Sequence, residues 1–313
     1  MPASYPSYLA LAATGELGDR ISRACGLLAD CGVCPRHCGV DRTAGELGYC
    51  RGGLLPRVSS AGPHFGEEPP LVGRYGSGTI FLAGCNMRCA FCQNYGISQC
   101  YQGEEIPARE LAGEMLALQE RGCHNINLVS PSHFVPQILS AVGIAVPLGL
   151  AVPLVYNSGG YDLPGTLRLL DGVFDIYMPD LKFMDGEVAE KFCRAKNYPE
   201  KAQAAIQEMH RQVGDLEVNP RGVAERGLLV RHLVLPGGLA GTREAMHFLA
   251  REISPHTYVN LMAQYRPCGQ ALENSPLNRR ITDTEYEEAL RMAREEGIHR
   301  LDQRPGLRII RFI

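Results

Sequence analysis

Cys85, Cys89 and Cys92, in the run Gly84-Cys85-Asn86-Met87-Arg88-Cys89-Ala90-Phe91-Cys92, are the side chains whose types and spacing speak most directly to chemistry. The C-x3-C-x2-C spacing suits three thiolates converging on one iron–sulfur cube. A closed cube takes four cysteines, and no fourth follows at comparably close spacing. Three ligands leave one iron open to an exogenous ligand, the arrangement that makes a metal site catalytic rather than structural. Phe91, directly before the third cysteine, offers an aromatic face to a purine ring.

A second cysteine set lies upstream: Cys31-x2-Cys34-x3-Cys38-x11-Cys50, with Cys25 nearby. Four thiolates at this spacing suit a tetrahedral zinc or iron, or a second iron–sulfur cluster, and the residues alone leave the metal open. The turn residues in Cys31-Gly-Val-Cys34-Pro-Arg-His-Cys38-Gly would fold a knuckle around it. His37 is not expected as a ligand. Cys100, Cys123 and Cys193 read as small core residues, Cys193 sharing an apolar helix face with Ala189 and Phe192. Cys268, after the last strand, reads more readily as packing than as part of a site.

These cysteines must be positioned by regular elements. Thr79-Ile-Phe-Leu-Ala83 is an apolar run that reads as a buried strand, which places Cys85 on a loop at its C-terminal end. Apolar runs predict strands over 78–84, 125–130, 150–157, 174–181, 228–235 and 257–263. Helical segments are predicted over 107–121, 133–142, 164–171, 186–210, 242–252 and 283–297. Pro107 suits a first helical turn, Gly122 a C-cap, and Thr282 to Glu285 a capping box. Strands alternating with helices predict an α/β fold with a parallel sheet, rolled as a partial (β/α)6 barrel. Residues 1–75 read as an irregular cysteine-rich module, and 76–313 as the barrel.

Ligands of parallel α/β folds meet the carboxyl ends of the strands. Those ends carry Ser130, Ser132, His133, Asn157, Asp180, Lys182, His232 and Gln264. Asp180 and Lys182, two apart on a strand, point to one face and form either a structural ion pair or a partner for a charged ligand. Asn157 offers donor and acceptor, and Gly159 and Gly160 permit close backbone approach. His133, after Ser132 at a helix start, reads as a packing or capping residue whose neutral form the helix dipole favours. His232, in the apolar strand Leu228 to Leu235, needs a partner or a ligand, and a ligand contact is expected.

Lys and Arg total 31 against 34 acidic residues, with no basic block, so charge gives no support to a nucleic-acid or membrane surface. No stretch reaches the ~18–20 apolar residues of a bilayer span. Met-Pro-Ala-Ser-Tyr-Pro-Ser-Tyr shows no signal-peptide pattern. Twelve cysteines without an export signal favour reduced thiols, metal and a cytoplasmic location.

Cys85-x3-Cys89-x-Phe91-Cys92 resembles the signature of the radical S-adenosylmethionine (SAM) superfamily. Further segments resemble the branch of the pyruvate formate-lyase activating enzyme, and more closely its homologues with an added amino-terminal cysteine region. They are Cys31 to Gly52, Gln93-Asn94, Ser130 to Gln137, Tyr156 to Tyr161, Asp175 to Lys182, Arg231 to Pro236 and Val259 to Pro267. The resemblance implies a [4Fe-4S] cluster on Cys85, Cys89 and Cys92, its open iron chelated by SAM. It also implies a one-electron donor such as flavodoxin or ferredoxin, and a 5′-deoxyadenosyl radical that abstracts hydrogen. Phe91, Ser130, Ser132, Asn157, Asp180, Lys182, His232 and Gln264 become expected SAM contacts. Activases of this branch act on a glycyl Cα of a partner enzyme. Here Ser130-Pro131-Ser132 replaces the Gly-Gly-Glu with which many members hold the SAM amino group, and the simplest activases lack the amino-terminal cysteines. Modification of a peptide or small molecule is the alternative, and a non-catalytic electron carrier a further one.

Overall fold

The computed structural model describes residues 5–302; the outer ends of the two expected units, 1–4 and 303–313, lie outside them. Nine strands form the sheet system: β1 (Arg57–His64), β2 (Ser77–Leu82), β3 (Glu104–Glu105), β4 (Ile126–Val129), β5 (Leu154–Ser158), β6 (Ile176–Pro179), β7 (Glu217–Val218), β8 (Ala224–Leu233) and β9 (Tyr258–Met262). Their order is β3-β1-β2-β4-β5-β6-β8-β7, with β9 on β8. The six expected strands are β2, β4, β5, β6, β8 and β9, all mutually parallel. They are the staves of a partial α/β barrel, joined by helices that cover its outer face. Strands β1, β3 and β7 are added antiparallel at the edges.

Strand parity sorts the buried side chains into two cores. Ile80, Leu128, Tyr156, Tyr177 and Val230 face outward into the large core beneath the helices. Val155, Ile176, Met178 and Leu229 face inward and pack around Leu71, which the short helix Pro69–Val72 pushes into the lumen. That helix closes the barrel floor. Asn125 Nδ2 ties it down by donating to Leu71 O at 2.9 Å.

Residues 1–75 are more regular than expected. Helices Tyr8–Thr14 and Glu16–Gly26 precede the cysteines, and β1 pairs with β2. The second helix is amphipathic, with Leu17, Ile21 and Ala24 recurring on one face, and that face docks on the helix Val135–Ala145. Gly143 makes that docking fit, since a Cβ there would meet Ile21 Cδ1 at 2.5 Å. β1 carries Ser, Gly and Pro and reads as irregular because its order comes from β2. The helix predicted over 186–210 is two, Gly186–Cys193 and Tyr198–Val213. Arg194 turns left-handed (φ 54°), and Pro199 opens the second helix. Thr282 forms the expected capping box with Glu285.

Candidate functional site

The loop after β2 carries the three cysteines to the carboxyl ends of the strands. Gly84 starts it with φ +87°, and any Cβ there would lie 2.6 Å from Cys50 O. The loop is pinned by Ala90 N–H donating to Phe192 O (2.8 Å) and Asn86 Nδ2 donating to Tyr161 O (2.6 Å). Backbone N–H groups two residues on point at the sulfurs, from Met87 to Cys85 Sγ at 3.3 Å and from Asn94 to Cys92. Cys85, Cys89 and Cys92 line one cavity of about 140 Å³ with Ser130, Ser132, His133, Asn157, Asp180, Lys182 and Arg231. Burial pushes the Cys85 thiol up to about 12, with Lys182 acting in the opposite direction. Such thiols become thiolates when a cationic centre displaces their protons.

The opposite wall is charged. Asp180 binds Lys182, and its Oδ1 accepts from Arg231 Nε at 2.7 Å. Arg231 Nη2 donates to Asn157 Oδ1 at 2.7 Å, and Glu67 lies 4.0 Å from Arg231. Burial alone would raise the Asp180 carboxyl, but Arg231 and Lys182 outweigh it and hold it below its ordinary value. Gly160 lets the β5 and β6 ends meet. Its φ is +79°, and a Cβ would lie 2.2 Å from Asp180 O. Tyr198 OH braces the same junction, accepting from Lys182 N–H and donating to Asp180 O at 2.8 Å.

One expected polar residue, Ser132, is engaged by a carboxylate with no sequence signal. Asp162 is buried and accepts from Tyr156 OH (2.8 Å), Ser158 Oγ (2.7 Å) and Ser132. Ser132 therefore lines the cavity but is already engaged, while Ser130 is held left-handed (φ 60°) at the cavity edge. Asn127, two residues before Val129 on the lumen face of β4, is buried with neither side-chain polar atom partnered by protein. It leaves hydrogen-bonding capacity beneath the cavity.

Three expectations need correction. His232 faces outward, its Nδ1 2.6 Å from Leu181 O and Nε2 3.0 Å from Thr242 Oγ1; burial pushes it down to about 4, and it does not line the cysteine cavity. Its neighbour Arg231 faces inward instead. Phe91 turns from the cavity into the core, edge-on to Phe183 and Tyr265 at centroid distances of 5.9 and 6.1 Å. Gln264 is exposed outside the cavity, meeting the loop through its carbonyl and Gln93. His133 lines the cavity, its Nε2 3.0 Å from Ala83 O. Burial, helped by the Arg42 guanidinium, pushes it down to about 4.

Among the remaining cysteines, Cys100 is exposed rather than in the core. Cys123 is buried, and Cys193 is buried with its Sγ 3.1 Å from Cys89 Sγ, a fourth thiol at the loop. Cys268 Sγ donates to Phe91 O at 3.1 Å and backs the loop from outside.

The family model of the radical SAM superfamily matches residues 79–219, the span that holds the cysteine loop and most of the charged wall. A protein of Methanocaldococcus jannaschii, Uncharacterized protein MJ0674, is 33% identical over 287 residues, covering 89% of this chain and 78% of its own. The chain belongs to the radical SAM superfamily. A second protein of that organism, Uncharacterized protein MJ0808, is 36% identical over 97 residues, 27% of this chain and 28% of its own. Among solved structures, TYW1 with a lysine-pyruvate adduct bound has a TM-score of 0.41 at 11% identity, over 69% of this chain and 73% of that one. HydG, a maturase of the [FeFe]-hydrogenase, has a TM-score of 0.47 at 12% identity, over 71% of this chain and 49% of its own.

Radical SAM enzymes use a [4Fe-4S] cluster and SAM, and need a one-electron donor such as flavodoxin or ferredoxin. The residues here fit both cofactors. Cys85, Cys89 and Cys92 would hold three irons and leave the fourth to SAM. Asp180, Lys182 and Arg231 would offer SAM charges of both signs on the facing wall, and Asn157 an amide. Among the described residues no helix is long and apolar enough to cross a membrane.

Proposed function

We propose that this radical SAM enzyme takes a hydrogen atom from a polypeptide, with a glycyl Cα of a partner enzyme as its target. The supporting observation is the mouth of the cavity. Gln93, Asn94 and Tyr95, immediately after the third cysteine, are exposed at its rim, Tyr95 at 42%. A backbone segment could approach there without a lid having to move. The sequence segments that resemble the activase branch support the same target. When bound, the cluster that Cys85, Cys89 and Cys92 would hold supplies the one-electron reduction that cleaves SAM, whose adenosyl part would leave as 5′-deoxyadenosine once it has taken the hydrogen.

The chain's own residues supply position and polarity. Asp180 would draw the SAM ammonium, while Lys182 and Arg231 face its carboxylate. Asp162 fixes Ser132 and Ser158, so the β4 and β5 ends present a fixed surface. The buried floor keeps bulk water from entering behind the reacting groups.

The test is an anaerobic reaction with SAM, a flavodoxin or ferredoxin donor, and a candidate glycyl radical enzyme labelled with α-deuterated glycine. Deuterium in 5′-deoxyadenosine and a glycyl radical signal in the partner are expected. Formation of 5′-deoxyadenosine without transfer from any polypeptide would redirect the activity to a small molecule. No 5′-deoxyadenosine at all would reduce the protein to an electron carrier.

A further inference from the structure

The upstream cysteines form a site the catalytic reading does not use. Cys31, Cys34, Cys38 and Cys50 surround a small enclosed cavity of about 10 Å³, walled also by Arg36, Arg42, Gly48, Gly52 and His133. Glycine makes the space: a Cβ at Gly48 would lie 2.8 Å from Cys38 Sγ, and one at Gly52 would lie 2.9 Å from Arg42 Nη2. The sulfurs accept backbone N–H groups as in the SAM loop, Cys38 from Tyr49 and Cys50 from Gly52, each at 3.3 Å.

Charge points to an anionic occupant. Arg42 is 1% exposed, yet its guanidinium donates only to carbonyls, Gly53 O at 2.7 Å and His133 O at 2.8 Å. Arg36 likewise donates to Asn86 O and Arg194 O and stacks on Tyr49. Among the described residues neither arginine forms an ion pair. A buried cation without a counter-charge is costly, and a centre carrying four thiolates would supply one.

Size separates an ion from a cluster. Thiolates on zinc sit about 2.3 Å from the metal and leave no space among themselves for a water-sized sphere. Here one such sphere fits, a void of roughly 10–15 Å³ being the minimum for a water. Among the described residues no three Cys, His, Asp or Glu side chains are arranged to hold a single ion. That is equally true of Cys85, Cys89 and Cys92, whose cube sets its ligands apart with its own iron and sulfide.

We propose that Cys31, Cys34, Cys38 and Cys50 hold a second iron–sulfur cluster, closed to SAM by its full set of cysteines and seated directly behind the SAM cluster. His133 lines both cavities. Cys50 O abuts Gly84, the residue before Cys85, and Arg88 of the SAM loop donates to Tyr49 O at 2.8 Å.

Iron, acid-labile sulfide and zinc are measured in the anaerobically reconstituted full chain and in a Cys34→Ser/Cys38→Ser variant. The native chain should carry about twice the iron and sulfide of the variant. A Cys85→Ala/Cys89→Ala/Cys92→Ala variant should keep a reducible cluster whose electron paramagnetic resonance spectrum does not respond to SAM. Iron and sulfide for one cluster only in the native chain, with or without bound zinc, overturns the proposal however the variants fold. These readouts involve no substrate, so they stand or fall independently of the glycyl target.

Discussion

Asp180→Asn removes one negative charge from between two cations while preserving the side-chain volume. Asp180 is 13% exposed and Lys182 and Arg231 18% each, so solvent replaces little of what is lost. Removing one partner from a buried ion pair costs about 3–5 kcal/mol. At roughly 2 °C per kcal/mol for a chain of this size, the melting temperature should fall by about 6–10 °C. SAM should also bind at least about tenfold more weakly, about 1.4 kcal/mol, because its ammonium loses Asp180. The cluster's absorption should not change, since no cysteine is touched. Differential scanning calorimetry and a SAM titration on the same preparation read both quantities. A lowered melting temperature with SAM affinity within about twofold of the native value would make the triad purely structural and refute its cofactor role. An unchanged melting temperature would refute the burial argument itself.

Replacing Cys85, Cys89 or Cys92 singly by Ala should abolish 5′-deoxyadenosine formation, because each removes a cube ligand; near-native yield from any of the three would contradict the site. His232 is held at about 4 in the fold against about 6.5 unfolded. Between those values the unfolded chain binds more protons, so stability falls as pH drops, by about 1.4 kcal/mol per pH unit. Urea titrations at pH 7, 6 and 5 should therefore show a shallower pH slope for His232→Gln, by about half that amount from pH 7 to 6 and by close to all of it from pH 6 to 5. Gly160→Ala should lower stability by more than the roughly 1–2 kcal/mol of a left-handed residue, since its Cβ also meets Asp180 O; a melting curve matching the native one would count against that contact.

The barrel strands were legible because parallel strands, buried on both faces, stand out as apolar runs between turn residues. The same property hid their orientation. In Leu228-Leu-Val-Arg-His-Leu no alternation reveals which of Arg231 and His232 faces the lumen, and it is Arg231 that lines the cavity. The three-cysteine spacing was readable because the ligands are close in sequence. Asp162, Glu67 and Arg42 reach their partners only through the fold, and no local pattern marks them. Phe91 was misread for a related reason: an aromatic beside a ligand looks the same in sequence whether it faces a cofactor or the core. β1 owes its order to the strand it docks on, which a sequence window does not contain, whereas the helix Glu16–Gly26 carries its apolar face, Leu17, Ile21 and Ala24, in its own sequence.

The plug at Leu71 has a bearing on traffic. With Pro69–Val72 packed against Val155, Met178 and Leu229, the lumen is closed at the amino ends of the strands. Anything that reaches the cysteine cavity would therefore come and go on the side of the strands' carboxyl ends, where Asn94 lines it and Gln93 and Tyr95 are exposed.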